Sequence, residues 1–441
     1  MKNDPRISVI IPVYHSEKTL GTCLGSVLSQ DYKNVELLVV LNGMDRSDQS
    51  ALRCLDVIRD CAAAGKVSAL YENGLEDLAG QDGNSQEELA GQDSGRQDIG
   101  CENSSPENDE QTAVETESGL SDVHPLIRVF WRNEKGVSAA RNYGIRKAKG
   151  ELLLFLDSDD VMGEHAISRM QKRISSDDSD MVIAGFSRCT SRGRVSRFPH
   201  MDGVIETVKD REQIEKLYID DLLNMPWNKL YKKELIRAEF PTDLSLGEDL
   251  CFNLDYMLQT KRISVLCDSV YDYTVDESAT SLSYQKRSDR VYVCMRLYRK
   301  ANAFFRALAE RTENPDGTST IGQNPSGINS ENRSGISSGP KRFWVTDTKV
   351  VATFLDELCL LGEAGYGAGK RADKDDDKRK WNHQVRGYVR AIRKFVKGGR
   401  RDIRLFLPDH KIIYVPASRG FVFPVKVLIL LRAFVAGIRK R

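Results

Sequence analysis

Glu151-Leu-Leu-Leu-Phe-Leu-Asp-Ser-Asp-Asp160 restricts the folds open to this chain more than any other stretch. An apolar run this short, placed after a helix-ending Gly150 and stopped by acids, reads as a buried central strand with carboxylates at its C-terminal edge. Open α/β sheets put their ligands at that edge. Asp157 and Asp159 flank the small Ser158, so both can reach one hard cation, Mg²⁺ or Mn²⁺. Such an ion, held by one or two carboxylates, keeps its other positions for water and phosphate oxygens. The stretch therefore points to diphosphate chemistry. Spacing alone carries little, because 64 acids in 441 residues give roughly nine acid-x-acid triplets by chance; the place at a strand end is what raises this one.

The flanking sequence supplies alternating strands and helices. Ile7 to Pro12 is a strand stopped by proline, and Leu20, Cys23, Leu24, Val27 and Leu28 then recur at helical spacing. Val35 to Leu41 gives a second strand ending in Asn42-Gly43, and Leu52, Leu55, Ile58 and Arg59 continue as a helix, which completes a parallel βαβ unit. Ile127 to Trp131 is a strand, followed by a helix from about Val137 with Ala140, Gly144, Ile145 and Ala148 on one face. Further on, Ala166 to Ile174 reads as helix and Asp180 to Phe186 as strand. Glu248 and Asp249 open a helix continued by Leu250, Leu254 and Met257, where the helix dipole favours acids in the first turn. A helix over Arg290 to Leu308 closes this part of the chain.

Charge is distributed unevenly. The net charge of +1 argues against a general nucleic-acid binder, so no nucleic-acid partner is expected. Between Glu72 and His124, however, fifteen acids face the single base Arg96, whereas from Lys370 to Arg441 there are 21 bases and 6 acids. The acidic stretch, residues 72–123, is rich in Gly, Ser, Gln and Asn and reads as a disordered insertion. Within it Glu76-Asp-Leu-Ala-Gly-Gln-Asp82 nearly repeats as Glu87-Glu-Leu-Ala-Gly-Gln-Asp93, two polar copies too short to stack a core. Residues 311–342 read as a flexible linker and 343–441 as a helical, basic C-terminal region. In its last part, 421–441, Val427, Leu431, Phe434, Val435 and Ile438 share a face between basic residues; this suits a helix lying in an anionic membrane surface, with a helix docked on the protein as the alternative. Nine scattered cysteines without CxxC spacing fit reduced packing residues. Met1 to Arg6 holds no apolar signal segment, so the expected location is the cytoplasm, peripheral on the cytoplasmic face of the membrane.

In this order the pieces resemble the family 2 glycosyltransferases. The matching text is Val9-Ile-Ile-Pro-Val-Tyr14, Glu17, Ser26-Val-Leu-Ser-Gln30, Gly136-Val-Ser-Ala-Ala-Arg-Asn142, Lys147-Ala-Lys-Gly-Glu151, Phe155-Leu-Asp-Ser-Asp-Asp160, Pro226-Trp-Asn-Lys-Leu-Tyr231 and Gly247-Glu-Asp249. The resemblance implies an α/β GT-A fold with a mostly parallel sheet over residues 1–310, followed by the helical extension. It implies an inverting transfer of a hexosyl or N-acetylhexosaminyl unit from a nucleotide sugar, a UDP-sugar foremost. The acceptor hydroxyl would belong to a saccharide or lipid-linked saccharide of the cell surface. Carried onto this sequence, Pro12, Val13 and Tyr14 line the base pocket, Asn42 reads the base, and Glu17, Arg141, Asp157 and Ser158 attend the donor. The Asp-Ser-Asp matches the family's metal–diphosphate motif, with Asp159 as first metal ligand and Asp157 as second. Asp249, beside Glu248, matches the base that deprotonates the acceptor. Arg141 faces either the phosphates or solvent, and Trp227 either a sugar or the core. The chain departs from the family at Leu41-Asn42, where two acids are common, at His15, where Asn often stands, and at Met44-Asp45.

Two other functions fit parts of the sequence. Asp157-Ser-Asp-Asp-Val161 after an apolar run also suits the nucleophile loop of a haloacid-dehalogenase-type phosphohydrolase, although two strands precede it where that superfamily has none. The altered Leu41-Asn42 admits a non-catalytic glycosyltransferase-like scaffold that recruits partners through its charged extensions.

Overall fold

The structure, a computed structural model, describes residues 4–71, 125–244, 246–275 and 290–313, and beyond these 346, 349–355, 358, 382–390, 392, 417 and 425. The acidic insertion, most of the linker and nearly all of 421–441 lie outside the described residues.

Chain order is β1 (Ile7–Val13), α1 (Leu20–Leu28), β2 (Val35–Asn42), α2 (Gln49–Gly65), β3 (Ser68–Tyr71), β4 (Leu126–Arg132), α3 (Val137–Lys147), β5 (Leu152–Phe155), β6 (Val161–Met162), α4 (Ala166–Ser176), β7 (Met181–Thr190), β8 (Gly193–Arg197), β9 (Gly203–Glu206), α5 (Arg211–Ile219), β10 (Lys229–Lys232), α6 (Glu248–Met257), β11 (Arg262–Thr274) and α7 (Arg290–Glu313). One sheet takes them in the order β3-β4-β2-β1-β5-β10-β7-β11-β6, with β8 added to β7 and β9 to β11. From β3 to β5 all pairs are parallel, and these strands are apolar almost throughout because helices cover both faces. β10 then runs antiparallel to both β5 and β7, while β7 and β11 are parallel to each other.

Three differences from the sequence-based expectations have local causes. α2 extends well past Arg59, because Asp48 caps it by accepting the Ser50 N–H at 2.8 Å and Ala62-Ala63-Ala64 prolongs it at no side-chain cost. α7 continues to Glu313, so residues 311–313 of the stretch read as linker are helical. β3, β6, β8, β9, β10, α5 and β11 were not anticipated: most are short, and β11 is broken by register shifts that blur its alternation.

A buried ionic network sets the strand before the acids. Glu36 of β2 accepts from Ser8 Oγ at 2.6 Å, from Arg128 Nη1 at 3.0 Å and from the Lys149 and Gly150 N–H groups at 2.6 and 3.1 Å. It thereby ties β1, β2 and β4 to the turn that launches β5. A Cβ on Gly150 would lie 2.6 Å from Ser8 Oγ and 2.8 Å from Arg6 O, so no side chain fits there. Glu36→Ala is expected to cost about 3–5 kcal/mol, because it leaves the Arg128 guanidinium buried beside unanswered amides. Urea unfolding of the variant against wild type measures the loss.

α7 docks through Lys300–Asp255 (2.5 Å) and through the Phe305 ring, edge-on to Tyr218 of α5. Its Cys294, Met295 and Tyr298 support a second apolar cluster containing Val350, Phe354, Val389 and Val425. Lys349 Nζ meets Asp221 Oδ1 at 2.6 Å and lies 4.1 Å from the Tyr218 ring centre. The described residues beyond the linker thus pack against α7 and α5, and among them Val425 is buried. No helix among the described residues is long and apolar enough to cross a membrane.

Candidate active site

β5 leaves the core at Leu156, and the four residues that follow diverge in environment. Asp157 accepts Arg141 Nη2 at 2.7 Å through Oδ1, while its backbone N–H donates to Tyr271 Oη at 3.1 Å. The Ser158 hydroxyl is buried and shares a 2.7 Å hydrogen bond with Ser16 Oγ from the β1–α1 turn. Asp159 points outward as an exposed residue, its pKa raised by desolvation and by neighbouring Asp157. Asp160 turns inward, accepting from Tyr271 Oη at 2.8 Å and from the Thr274 N–H at 2.7 Å. Burial, then Asp157 and Asp159, push its pKa up to about 9.

On the other side of Arg141, α6 begins at Gly247, whose φ of 85° suits glycine and turns the chain so that Glu248 and Asp249 head the helix. Arg141 of α3 joins the two sides: Nη1 donates to Asp249 Oδ1 at 2.6 Å while Nη2 holds Asp157. Its side chain is 3% exposed, against 28% for Asp157 and 21% for Asp249. Burial opposes the guanidinium's charge, but Asp249 and Asp157 outweigh it and raise its pKa. Burial likewise raises Asp249 against the pull of Arg141, with Glu248 and Asp157 adding to the rise. The solvent-facing alternative for Arg141 is therefore wrong, since acids from two distant segments converge on it.

Most of the remaining expected residues lie at the ends of β1 and β2 and in the turn after β1. Pro12 and Val13 end β1 and are buried, and Tyr14 stands 54% exposed with His15 edge-on to it at 4.2 Å. His15 takes φ 47°, a left-handed conformation that Asn and His tolerate better than most, and its N–H points to Met44 Sδ at 3.5 Å. Two of the chain's departures from its resemblance are thus in contact. Asn42 is buried at the end of β2, with Nδ2 donating to Gly136 O at 3.3 Å. Glu17 is engaged by Ser50 Oγ and by Arg53 at 3.5 Å, both on α2. Trp227 is core rather than a free stacking face: it lies parallel to Tyr271 at 4.1 Å and Tyr273 at 5.7 Å, with Phe186 against its edge.

Four residues were not singled out from sequence. Ser16, Asp160 and Tyr271 fix the acidic turn, and of these Asp160 alone lay in a visible motif. The fourth, Lys229, is fully buried; its Nζ donates to Leu222 O at 2.8 Å, to Asn228 Oδ1 at 2.7 Å and to Met225 O. Burial drives its pKa far down, with Asp249 opposing. Its place in the matching text Pro226-Trp-Asn-Lys-Leu-Tyr231 was the available signal.

Residues 8–63 and 102–240 match the family model described as glycosyl transferase family 2. This part of the chain belongs to glycosyl transferase family 2. Among its relatives is "Uncharacterized glycosyltransferase EpsJ" of Bacillus subtilis, 24% identical over 65% of this chain and 66% of the relative. A second is a poly(ribitol-phosphate) beta-glucosyltransferase of Bacillus spizizenii, 25% identical over 63% of this chain and 33% of the relative. The chain spans 32 to 66% of the length of the curated relatives it matches first. Among solved structures, S. aureus TarS 1–349 in complex with UDP-GlcNAc aligns with a TM-score of 0.50 at 16% identity, over 98% of this chain and 92% of that one. That likeness is one of fold: the chain has the expected GT-A-like α/β architecture, with its mostly parallel sheet. The dehalogenase alternative falls with this membership, and Asp157, which would have been its nucleophile, is bound by Arg141.

Proposed function

We propose that the chain is an inverting glycosyltransferase that moves a hexosyl or N-acetylhexosaminyl unit from a nucleotide sugar, a UDP-sugar first, to an acceptor hydroxyl in cell-surface polysaccharide synthesis. The observation that carries this is the Arg141 bridge, which sets the carboxylate at the end of β5 and the carboxylate at the start of α6 on one guanidinium. The names of relatives that act on poly(ribitol-phosphate) support the cell-surface setting.

The donor set suits a divalent cation. Asp159 is exposed and Asp157 commits only Oδ1 to Arg141, so two carboxylates stand at the end of β5. Among the described residues no group of three or more His, Cys, Asp or Glu could enclose an ion by protein alone. Two acids plus diphosphate oxygens is the arrangement Mg²⁺ and Mn²⁺ favour. Bound there, the ion would neutralise charge growing on the departing nucleoside diphosphate. The chain's own residues do the rest. Tyr271 and Ser16 hold the turn that presents Asp157 and Asp159, which limits reorganisation when the donor arrives. Burial makes Asp249 a stronger base than an exposed aspartate, and it is placed to take the acceptor's proton as the bond forms. Attack from the side opposite the leaving group inverts the anomeric centre. Diphosphate release from a panel of nucleotide sugars, with Mn²⁺ or Mg²⁺ and with either ion removed by chelator, tests the proposal; silence across the panel overturns it.

We also propose that the basic segment 421–441 brings the protein to an anionic membrane surface. A chain ending at Gly420 is expected to move from the membrane to the soluble fraction. Equal partitioning would instead leave the segment as a docked element, of which the buried Val425 is part.

A further inference from the structure

α7 packs along α6 and past both of its ends. Leu297, Ala301, Phe304, Phe305 and Leu308 recur at helical spacing and form the stripe by which α7 enters the main core, the last four of them buried. Ahead of α6, Arg296 meets Asp243 through Nη2 at 3.0 Å and Nη1 at 2.7 Å; beyond it, Arg311 Nη1 donates to Leu258 O at 2.6 Å. At the first position of the stripe, Leu297 meets Gly247, the residue from which α6 starts. A Cβ on Gly247 would lie 2.5 Å from Leu297 Cδ1 and 2.8 Å from its Cδ2, so the leucine fills the space a side chain would take.

Glycine adopts left- and right-handed backbone almost equally well, so nothing inside Gly247 selects its φ of 85°. Leu297 selects it from outside: the backbone has no room to rotate towards this side chain, and a rotation away would leave a void beneath the turn. Two residues on is Asp249, whose carboxylate Arg141 grips. The side chain and the backbone of the base thus have separate holders. Of α7's contacts at this turn, the Arg296–Asp243 pair lies open to water, where ion pairs contribute little, which leaves Leu297 to fix position. Withdrawal of α7 is opposed as well, because Cys294, Met295 and Tyr298 around Leu297 pack against the second apolar cluster.

We infer that Leu297 is a positioning residue for the transfer: it holds the turn at Gly247 so that the Asp249 carboxylate meets the acceptor hydroxyl within hydrogen-bond reach. This rests on the glycosyltransferase reading. Leu297 acts through the α6 backbone and not on the donor side, where Ser16 and Tyr271 hold the turn after β5. Its loss should therefore cost rate and leave donor and metal binding alone.

Wild type, Leu297→Ala and Leu297→Met are compared as full chains by steady-state transfer and by hydrogen exchange of the backbone amides. In Leu297→Ala kcat is expected to fall about 10–10²-fold, the cost of a displacement of about 1 Å at the reacting atoms, with donor KM and Mn²⁺ dependence unchanged. Amides of residues 248–252 should exchange faster and those of 152–156 at the wild-type rate. Leu297→Met refills the space with a side chain of similar volume and should restore both readouts. Because four buried residues of the stripe remain, α7 is expected to stay docked; should Leu297→Ala fail to fold, Leu297→Val, shorter by one methylene, carries the same comparison. Wild-type exchange at 248–252 in the shortened variant overturns the inference. So does faster exchange with kcat kept, or a lowered unfolding midpoint with exchange raised throughout the domain, since either would make Leu297 ordinary packing. A wild type that transfers no sugar, with the local exchange difference and its reversal by methionine in place, would count against the transferase reading and for the hold on Asp249.

Discussion

Asp249→Asn is expected to lower kcat by about 10²–10⁴-fold, the range a positioned general base supplies, with donor KM nearly unchanged. Asparagine keeps the size of the side chain and can still meet Arg141 Nη1 through its amide oxygen, so the bridge to Asp157 survives while the proton acceptor is gone. Steady-state kinetics with varied donor at saturating acceptor separate the two constants. A merely structural Asp249 predicts the reverse, with kcat kept and thermal stability reduced. Nucleotide-sugar binding without transfer in the wild type itself would favour the non-catalytic scaffold.

Asp159→Ala should affect a different parameter. This carboxylate is exposed and serves no hydrogen bond that holds the fold, so the variant is expected to keep its unfolding midpoint. Catalysis should fall about 10²–10³-fold, a typical cost of removing one electrostatic contact to the transition state. The Mn²⁺ concentration needed for half-maximal rate should rise at the same time, since two carboxylates have become one. A metal titration of diphosphate release reads both effects, and activity indifferent to the substitution would remove Asp159 from the donor site.

These two acids were legible in the sequence because each is a local event. Asp159 follows an apolar strand and Asp249 follows Gly247 at a helix start, and both patterns fit within a few residues. Arg141 was ambiguous for the opposite reason. On α3 it lies among Ala140, Gly144 and Ile145, and a charge there defaults to solvent unless partners are known; its partners lie 16 and 108 residues away. Tyr271 was hidden in the same way, since it reaches Asp160 across 111 residues from a strand whose pairing is irregular. Lys229 shows the limit differently. Its burial depends on carbonyls of a turn that exists only once α5 and β10 are placed. The strand beginning at Asp180 was readable to Phe186 and no further, because Ser187-Arg-Cys-Thr190 has no apolar alternation to display.

The position of the acidic stretch in the sheet has a further consequence. It joins Tyr71 to Leu126, residues of β3 and β4, which form the sheet's outer margin; β2 and β1 still separate them from β5 and the acids. Loop-closure cost grows only with the logarithm of length, so a connection at that margin can gain or lose tens of residues for about 1 kcal/mol without moving a catalytic side chain. The margin is therefore where this lineage can accumulate new sequence, and where a tag or reporter can be grafted, while turnover beside β5, beyond β2 and β1, goes on undisturbed.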